Sequence, residues 1–191
     1  MTATSITTNI LHIDSSINGD NSVSRTLSRS IVDQLKTLNP NALVIRRDLT
    51  SAPLPHLTLD AFANTAVIDE FLAANIVVIG SPMYNFGIPS QLKAWLDRLA
   101  VPEKTFRYTA QGPQGLAGDK KVIVASSRGG FYGADTPYAA LDHQESYLRT
   151  FFDFLGVTDL TFIRAEGIAV GEGARDKAIA AARSQVSRLA V

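Results

Sequence analysis

Five short runs of Ile, Val and Leu punctuate the chain: Ile10-Leu11-His12-Ile13, Leu43-Val44-Ile45, Ile76-Val77-Val78-Ile79, Val122-Ile123-Val124-Ala125 and Leu160-Thr161-Phe162-Ile163. Runs that are continuous rather than alternating predict strands buried on both faces. Between them the apolar period lengthens. Val23, Leu27, Ile31, Leu35 and Leu38 recur at nearly every fourth position, on one face of a helix that opens at Arg25. Helical patterns also cover Thr65–Ala74, Pro89–Ala100, Pro137–Leu155 and Ala174–Leu189. Pro89 sits in a first turn, where its missing N–H costs nothing. Strands alternating with helices predict an α/β fold: a doubly wound five-stranded parallel sheet, order 2-1-3-4-5, with helices on both faces. Gly112–Gly118 reads as a turn-rich loop before the fourth strand. With no repeat or linker, residues 1–191 predict a single domain.

Composition narrows the function classes. The 18 Lys and Arg balance the 18 Asp and Glu, and no basic stripe is visible. Neither nucleic acid nor an anionic membrane surface is therefore an expected partner. The chain has no cysteine, which excludes disulfides, thiolate catalysis and thiolate metal sites and suits a reducing compartment. No basic residue precedes Arg25, so the charged start of a secretory leader is not seen, and the apolar runs are too short to span a bilayer. The expectation is a soluble, cytoplasmic protein. His12 falls in the first strand, His56 follows two prolines, and His143 lies on a polar helix face. They share no metal-ligand spacing, so no metal site is expected.

A sheet of this order binds ligands beyond its carboxyl edge, where the strand order reverses. The loops after strands 1, 3 and 4 therefore hold the candidate chemistry. The first, Asp14-Ser15-Ser16-Ile17-Asn18-Gly19-Asp20-Asn21-Ser22-Val23-Ser24, presents hydroxyls to a helix N-terminus. Such a place attracts an anion, and several charge-assisted hydrogen bonds of ~1.5–3 kcal/mol each can hold a phosphate without a lysine. Ser22 or Ser24 serving only as a helix cap explains the same residues. Neither GxxxxGK[ST] nor GxGxxG is present. The second loop, Gly80-Ser81-Pro82-Met83-Tyr84-Asn85-Phe86-Gly87, offers an apolar wall for a planar ring and amides at Asn85 to Gly87 for its polar edge. Burial of Met83, Tyr84 and Phe86 in the core is the competing account. The third, Ser126-Ser127-Arg128-Gly129-Gly130-Phe131-Tyr132-Gly133, lets the backbone approach a ligand at its paired glycines, or needs them for positive φ. Arg128 is placed to neutralise a reduced ring or to pair with a surface carboxylate. A phosphorylated flavin, FMN, meets the demands of all three loops.

Together, Ser15-Ser16, Ser22-Val23-Ser24, Pro82-Met83-Tyr84-Asn85-Phe86, Thr105-Phe106-Arg107-Tyr108-Thr109 and Ser127-Arg128-Gly129-Gly130 resemble the FMN-dependent NADH azoreductases, also described as NADH:quinone oxidoreductases, of flavodoxin-like fold. The resemblance runs from about Asn9 to the carboxyl end. It implies tightly but non-covalently bound FMN, with NADH as electron donor. Phosphate contacts fall to Ser16, Ser22, Val23 and Ser24. Ring and ribityl contacts fall to Pro82, Met83, Tyr84, Asn85, Phe86, Ser127, Arg128, Gly129 and Gly130. It further implies a homodimer with the site at its interface, and substrate contacts from Tyr108, Tyr132 and Phe154, the last from the second chain. Val23 stands where the family pattern has Gln, so only its amide is expected to serve. The Ser51–Asn64 segment is shorter than the pattern. The implied reaction is ping-pong: hydride passes from NADH to the flavin, then two electrons pass to a quinone, or in two rounds to an azo bond. No side chain acts as nucleophile; backbone at Asn85, Gly129 and Gly130 tunes the flavin. The alternative is a flavodoxin-type electron shuttle with no NADH-driven turnover of its own, although such shuttles are strongly acidic and this chain is neutral. A phospho-receiver lacks its acidic cluster here, and a serine hydrolase lacks its Gly-x-Ser-x-Gly elbow.

Overall fold

A computed structural model describes residues 7–190; of the expected single domain, residues 1–6 and 191 lie outside that range. The elements run β1 (Asn9–Asp14), α1 (Val23–Leu38), β2 (Leu43–Asp48), α2 (Ala66–Ala73), β3 (Ile76–Pro82), α3 (Ser90–Leu96), β4 (Phe106–Thr109), β5 (Gly112–Gly115), β6 (Lys121–Ser127), α4 (His143–Phe154), β7 (Asp159–Ala165) and α5 (Glu172–Val186). The main sheet has the order β2-β1-β3-β6-β7, every neighbouring pair parallel. With the β4–β5 hairpin set aside, this is the expected 2-1-3-4-5 order.

Alternate residues of β1, β3, β6 and β7 feed two separate cores. Leu11, Ile13, Val77, Ile79, Val122 and Val124 pack on one face with Phe71 of α2, Trp95 of α3, and Leu148 and Phe152 of α4. Ile10, Ile76, Val78, Ile123 and Ala125 pack on the other with Leu27, Ile31 and Leu35 of α1 and Ala182 and Val186 of α5. Each Val, Leu, Ile or Phe among them, fully buried, contributes about 1.5–3 kcal/mol, which fixes the strand register and so the positions of the loops beyond it.

Several boundaries differ from expectation, each for a local reason. Helix α1 starts at Val23 rather than Arg25, because the Ser22 hydroxyl accepts the Arg25 amide at 3.2 Å. The 137–155 pattern is broken: a 3-10 turn at Ala139–Leu141 precedes α4, whose start is set by the Asp142 carboxylate accepting the Gln144 and Glu145 amides. Pro89 occupies the cap position of α3, not its first turn. Strand β2 is not buried on both faces. Among the described residues it ends the sheet, bonded to β1 alone, and Leu43, Val44 and Ile45 are 61%, 37% and 47% exposed. Residues 112–115 form a strand, not a loop, antiparallel to β4 with Tyr108 opposite Pro113. That hairpin lies so close to the end of α4 that a Cβ on Gly115 would fall 2.1 Å from the Gly156 nitrogen. No helix among the described residues is long and apolar enough to cross a membrane.

Candidate functional site

Strands β1, β3 and β6 are adjacent in the sheet, so the loops that follow them meet at its carboxyl edge. The first loop is anchored inward by Ser15, whose amide and hydroxyl both donate to the Gly80 carbonyl, at 3.2 and 2.7 Å. Gly80 admits nothing larger there: an added Cβ would sit 2.9 Å from Asp14 Oδ1. Ser16 then turns toward β3, its hydroxyl 3.3 Å from the Tyr84 hydroxyl, which also accepts the Ile17 amide at 3.1 Å. Ser22 and Ser24 are buried at the start of α1 with their hydroxyls 3.1 Å apart. The Val23 side chain belongs to the second core, leaving only its amide at the site. Among the described residues, the Val23 and Ser24 amides donate no hydrogen bond, as befits a first helical turn.

The second loop is a two-residue turn. Tyr84 and Gly87 exchange both backbone hydrogen bonds at 3.0 Å, so Asn85 and Phe86 take the central positions at φ 48° and 70°. Asn tolerates this left-handed region; Phe does not do so readily, and such strain is held where the surroundings enforce it. Met83 enforces it from one side through its amide on the Ser127 carbonyl, and His143 from the other through its amide on the Phe86 carbonyl. The turn leaves the Asn85 and Phe86 amides without an acceptor among the described residues, whereas the Gly87 amide, expected to be free, is engaged. Pro82 is buried at the end of β3, but Met83, Tyr84 and Phe86 are outside both cores.

The third loop folds back on the chain after β7. The carbonyls of Arg128, Gly129 and Gly130 accept the amides of Ile168, Ala169 and Gly167 at 3.1, 3.1 and 2.9 Å. Their own side of the loop thus presents the Gly129 and Gly130 amides, neither donating among the described residues. Neither glycine has positive φ, so the turn explanation for the pair does not apply. A Cβ on Gly129 would make only an ordinary 3.5 Å contact with Ala169, so packing within the chain does not demand glycine there.

Arg128 requires a correction. Its side chain is 1% exposed and is enclosed by acids: Asp142 at 2.8 Å, Glu166 at 3.1 Å and Glu145. Of the two expected roles the guanidinium takes carboxylate pairing, in the interior rather than at the surface, and so locks the loop to α4 and to the chain after β7. Glu166 completes that lock by accepting the Tyr132 amide at 2.8 Å. Beneath the first loop lies a second charged cluster. Burial raises the pKa of Asp14, but hydrogen bonds with His12, Arg46 and Ser28 outweigh it and hold it at about 2. The Arg25 guanidinium holds Asp48 well below the ordinary carboxylate range.

Phe86 meets Tyr132 edge-on at 6.2 Å, so the second and third loops share an aromatic corner. It opens into a cleft of about 660 Å³ walled by Phe86, Gly130, Phe131, Tyr132, Tyr138 and Val170. Phe131, Tyr138 and Val170 were not among the expected site residues; the aromatic density of 131–138 after a glycine pair is the signal that marks the first two. Tyr108 and Phe154 are not at this corner. They meet through Phe106, whose ring is 5.5 Å from Tyr108 and 4.7 Å from Phe154, beside the far end of α4.

The family described as having a flavodoxin-like fold matches residues 8–190. An FMN-dependent NADH:quinone oxidoreductase of Bradyrhizobium sp. (strain BTAi1) is 54% identical, over 95% of this chain and 98% of that protein. One from Azospirillum brasilense is also 54% identical, over 95% and 97%. The crystal structure of an azoreductase from Bacillus anthracis superposes with a TM-score of 0.88 at 28% identity, covering 95% of this chain and 97% of that one. An FMN-dependent NADH-azoreductase of the same species, in complex with FMN, gives 0.82 at 25% identity, covering 95% and 98%. By its sheet order, its matched length and its relatives, the chain belongs to the flavodoxin-like family of FMN-dependent NADH:quinone oxidoreductases and azoreductases.

Proposed function

We propose that this protein is an FMN-dependent NADH:quinone oxidoreductase that also reduces azo compounds. The observation that carries the reading is the convergence of free amides from three loops at one sheet edge: Val23 and Ser24, Asn85 and Phe86, Gly129 and Gly130. The donors fit FMN. Hydroxyls of Ser16, Ser22 and Ser24, with the Val23 and Ser24 amides at the positive end of a 16-residue helix, suit a phosphate. Pro82, Met83, Tyr84 and Phe86 supply an apolar wall, and Ser127 closes it from β6. When bound, FMN supplies the redox chemistry, accepting hydride from NADH and returning two electrons to the oxidant.

The chain's own contribution is position and charge. The Asn85 and Phe86 amides, held rigidly by their turn, are donors toward the polar edge of a ring. The Gly129 and Gly130 amides are preorganised donors for negative charge that builds on reduction. Arg128 acts only through its loop. The cleft beside Phe86 and Tyr132 takes a flat, apolar oxidant and excludes water from it.

The reading includes a homodimer. Along α4, Phe154 lies 11 residues from His143, about 16 Å at 1.5 Å per residue. Tyr108 is exposed, and Tyr147, Phe151 and Phe154 are only partly buried. A second copy packed over this side supplies Tyr108 and Phe154 to the cleft. A single domain and a cytoplasmic location, which suits a cysteine-free chain drawing on NADH, complete the proposal.

Anaerobic mixing of the FMN-loaded protein with NADH tests the activity. The yellow colour is expected to bleach and then return on adding a quinone. Colour that persists through the NADH step identifies an electron shuttle instead.

A further inference from the structure

We propose that Arg25, braced by Asp48, is the positioning residue of the anion cradle, and that it makes the protein prefer a phosphorylated flavin to riboflavin. Arg25 is buried in the first turn of α1. Its guanidinium donates twice to the Ser16 carbonyl, from Nε at 3.1 Å and Nη2 at 2.8 Å. The other edge forks onto Asp48, with Nη1 2.6 Å from Oδ2 and Nη2 2.7 Å from Oδ1, and the Thr50 hydroxyl joins the network. Asp48 is fixed in turn by the Thr50 amide and hydroxyl, at 3.0 and 2.7 Å. The Arg25 amide also donates to the Ser22 cap. One residue thus joins the cradle loop, the helix start and the end of β2.

In a trans peptide the carbonyl and the following N–H point in opposite directions. Arg25 holds the Ser16 carbonyl toward the protein, so the Ile17 N–H projects the other way, to the Tyr84 hydroxyl. Freed from Arg25, that peptide can rotate and present a carbonyl oxygen where the cradle now offers donors. An oxygen lone pair repels a phosphate dianion, which only accepts. It does not repel a hydroxyl, which can donate. The loss is therefore specific to the phosphate. Lysine cannot replace the fork, because a single ammonium cannot serve Ser16 and Asp48 in one plane.

The inference rests on the FMN reading above, and its test separates the two. Apo-protein is titrated with FMN and with riboflavin, following quenching of flavin fluorescence, for wild type, Arg25→Ala and Arg25→Lys. Circular dichroism and urea unfolding report whether each variant is folded. The FMN dissociation constant is expected to rise roughly 10- to 100-fold in both variants, the scale of one charge-assisted hydrogen bond, and that of riboflavin by less than about threefold. Should Arg25→Ala not fold, Arg25→Lys and Asp48→Asn are judged by the same ratio. Equal losses for both ligands mean a merely structural role and overturn the proposal, as does unchanged FMN affinity. Wild-type protein that takes up no FMN overturns the cofactor reading itself, whatever the variants do.

Discussion

Tyr84 does more than line a wall. Its hydroxyl joins the second loop to the first, accepting the Ile17 amide and meeting the Ser16 hydroxyl. Tyr84→Phe keeps the ring and removes both contacts. A neutral hydrogen bond is worth about 0.5–1.5 kcal/mol, so FMN affinity is expected to fall roughly three- to tenfold while urea stability changes by no more than about 1 kcal/mol. Fluorescence titration beside urea unfolding checks this; stability loss with unchanged FMN affinity would contradict it. Asp14 supplies a second residue-level prediction. Its folded-state pKa of about 2 lies below the ordinary 3.8. A depressed carboxylate stabilises the fold fully above the unfolded-state value and loses that contribution as pH falls toward the folded one. Stability is therefore expected to decline between about pH 5 and pH 2, by roughly 2 kcal/mol from this group alone, with Asp48 adding in the same direction. A urea midpoint that stays flat across that range would contradict the charged cluster.

The β4–β5 hairpin shows how glycine can specify an element. Gly115 and Gly156 meet backbone to backbone, and a methyl at Gly115 has no flexible side chain to push aside. Gly115→Ala is expected to cost about 1–3 kcal/mol in urea unfolding, the usual range for overpacking; an unchanged midpoint would show that the hairpin can shift freely. This element was hidden in the sequence because its turn-forming residues, Gly112, Pro113 and Gly115, are poor strand formers whose pairing is decided by α4. The five main strands were legible as short continuous runs of Ile, Val and Leu, and the helices by the near-four-residue period that core contact imposes on them. Burial of β2 was misread because an edge strand carries the same Ile and Val as a central one. At the site, the three loops were legible from strand order and residue type. What escaped was the pairing of charges. Arg25 appeared only as a helix start, and Arg128 as a ring partner or the mate of a surface carboxylate, yet each is committed to acids 14 to 38 residues away that only tertiary contact brings near. The cleft residues Phe131, Tyr138 and Val170 escaped for a related reason: they come from two loops that meet only in the fold.

At the scale of the whole molecule, two separate cores hold five parallel strands in register, and the carboxyl edge collects amides that donate to no acceptor among the described residues. Two buried charge networks flank that edge, one under the first loop and one behind the third, so the loops are fixed from beneath while the cleft stays apolar. In the proposed dimer, the half-buried aromatic side around α4 and the hairpin is the surface that receives a second copy. Sedimentation is expected to show a dimer, and substitution of Phe151 by Asp to give a monomer with greatly reduced quinone turnover; full turnover in a monomer would contradict a shared site. The most direct test of the central claim is a crystal structure of the FMN-loaded protein. The account predicts the phosphate against the Val23 and Ser24 amides and the ring edge against Asn85, Phe86, Gly129 and Gly130. Ordered FMN elsewhere, with those amides facing only solvent, would contradict it.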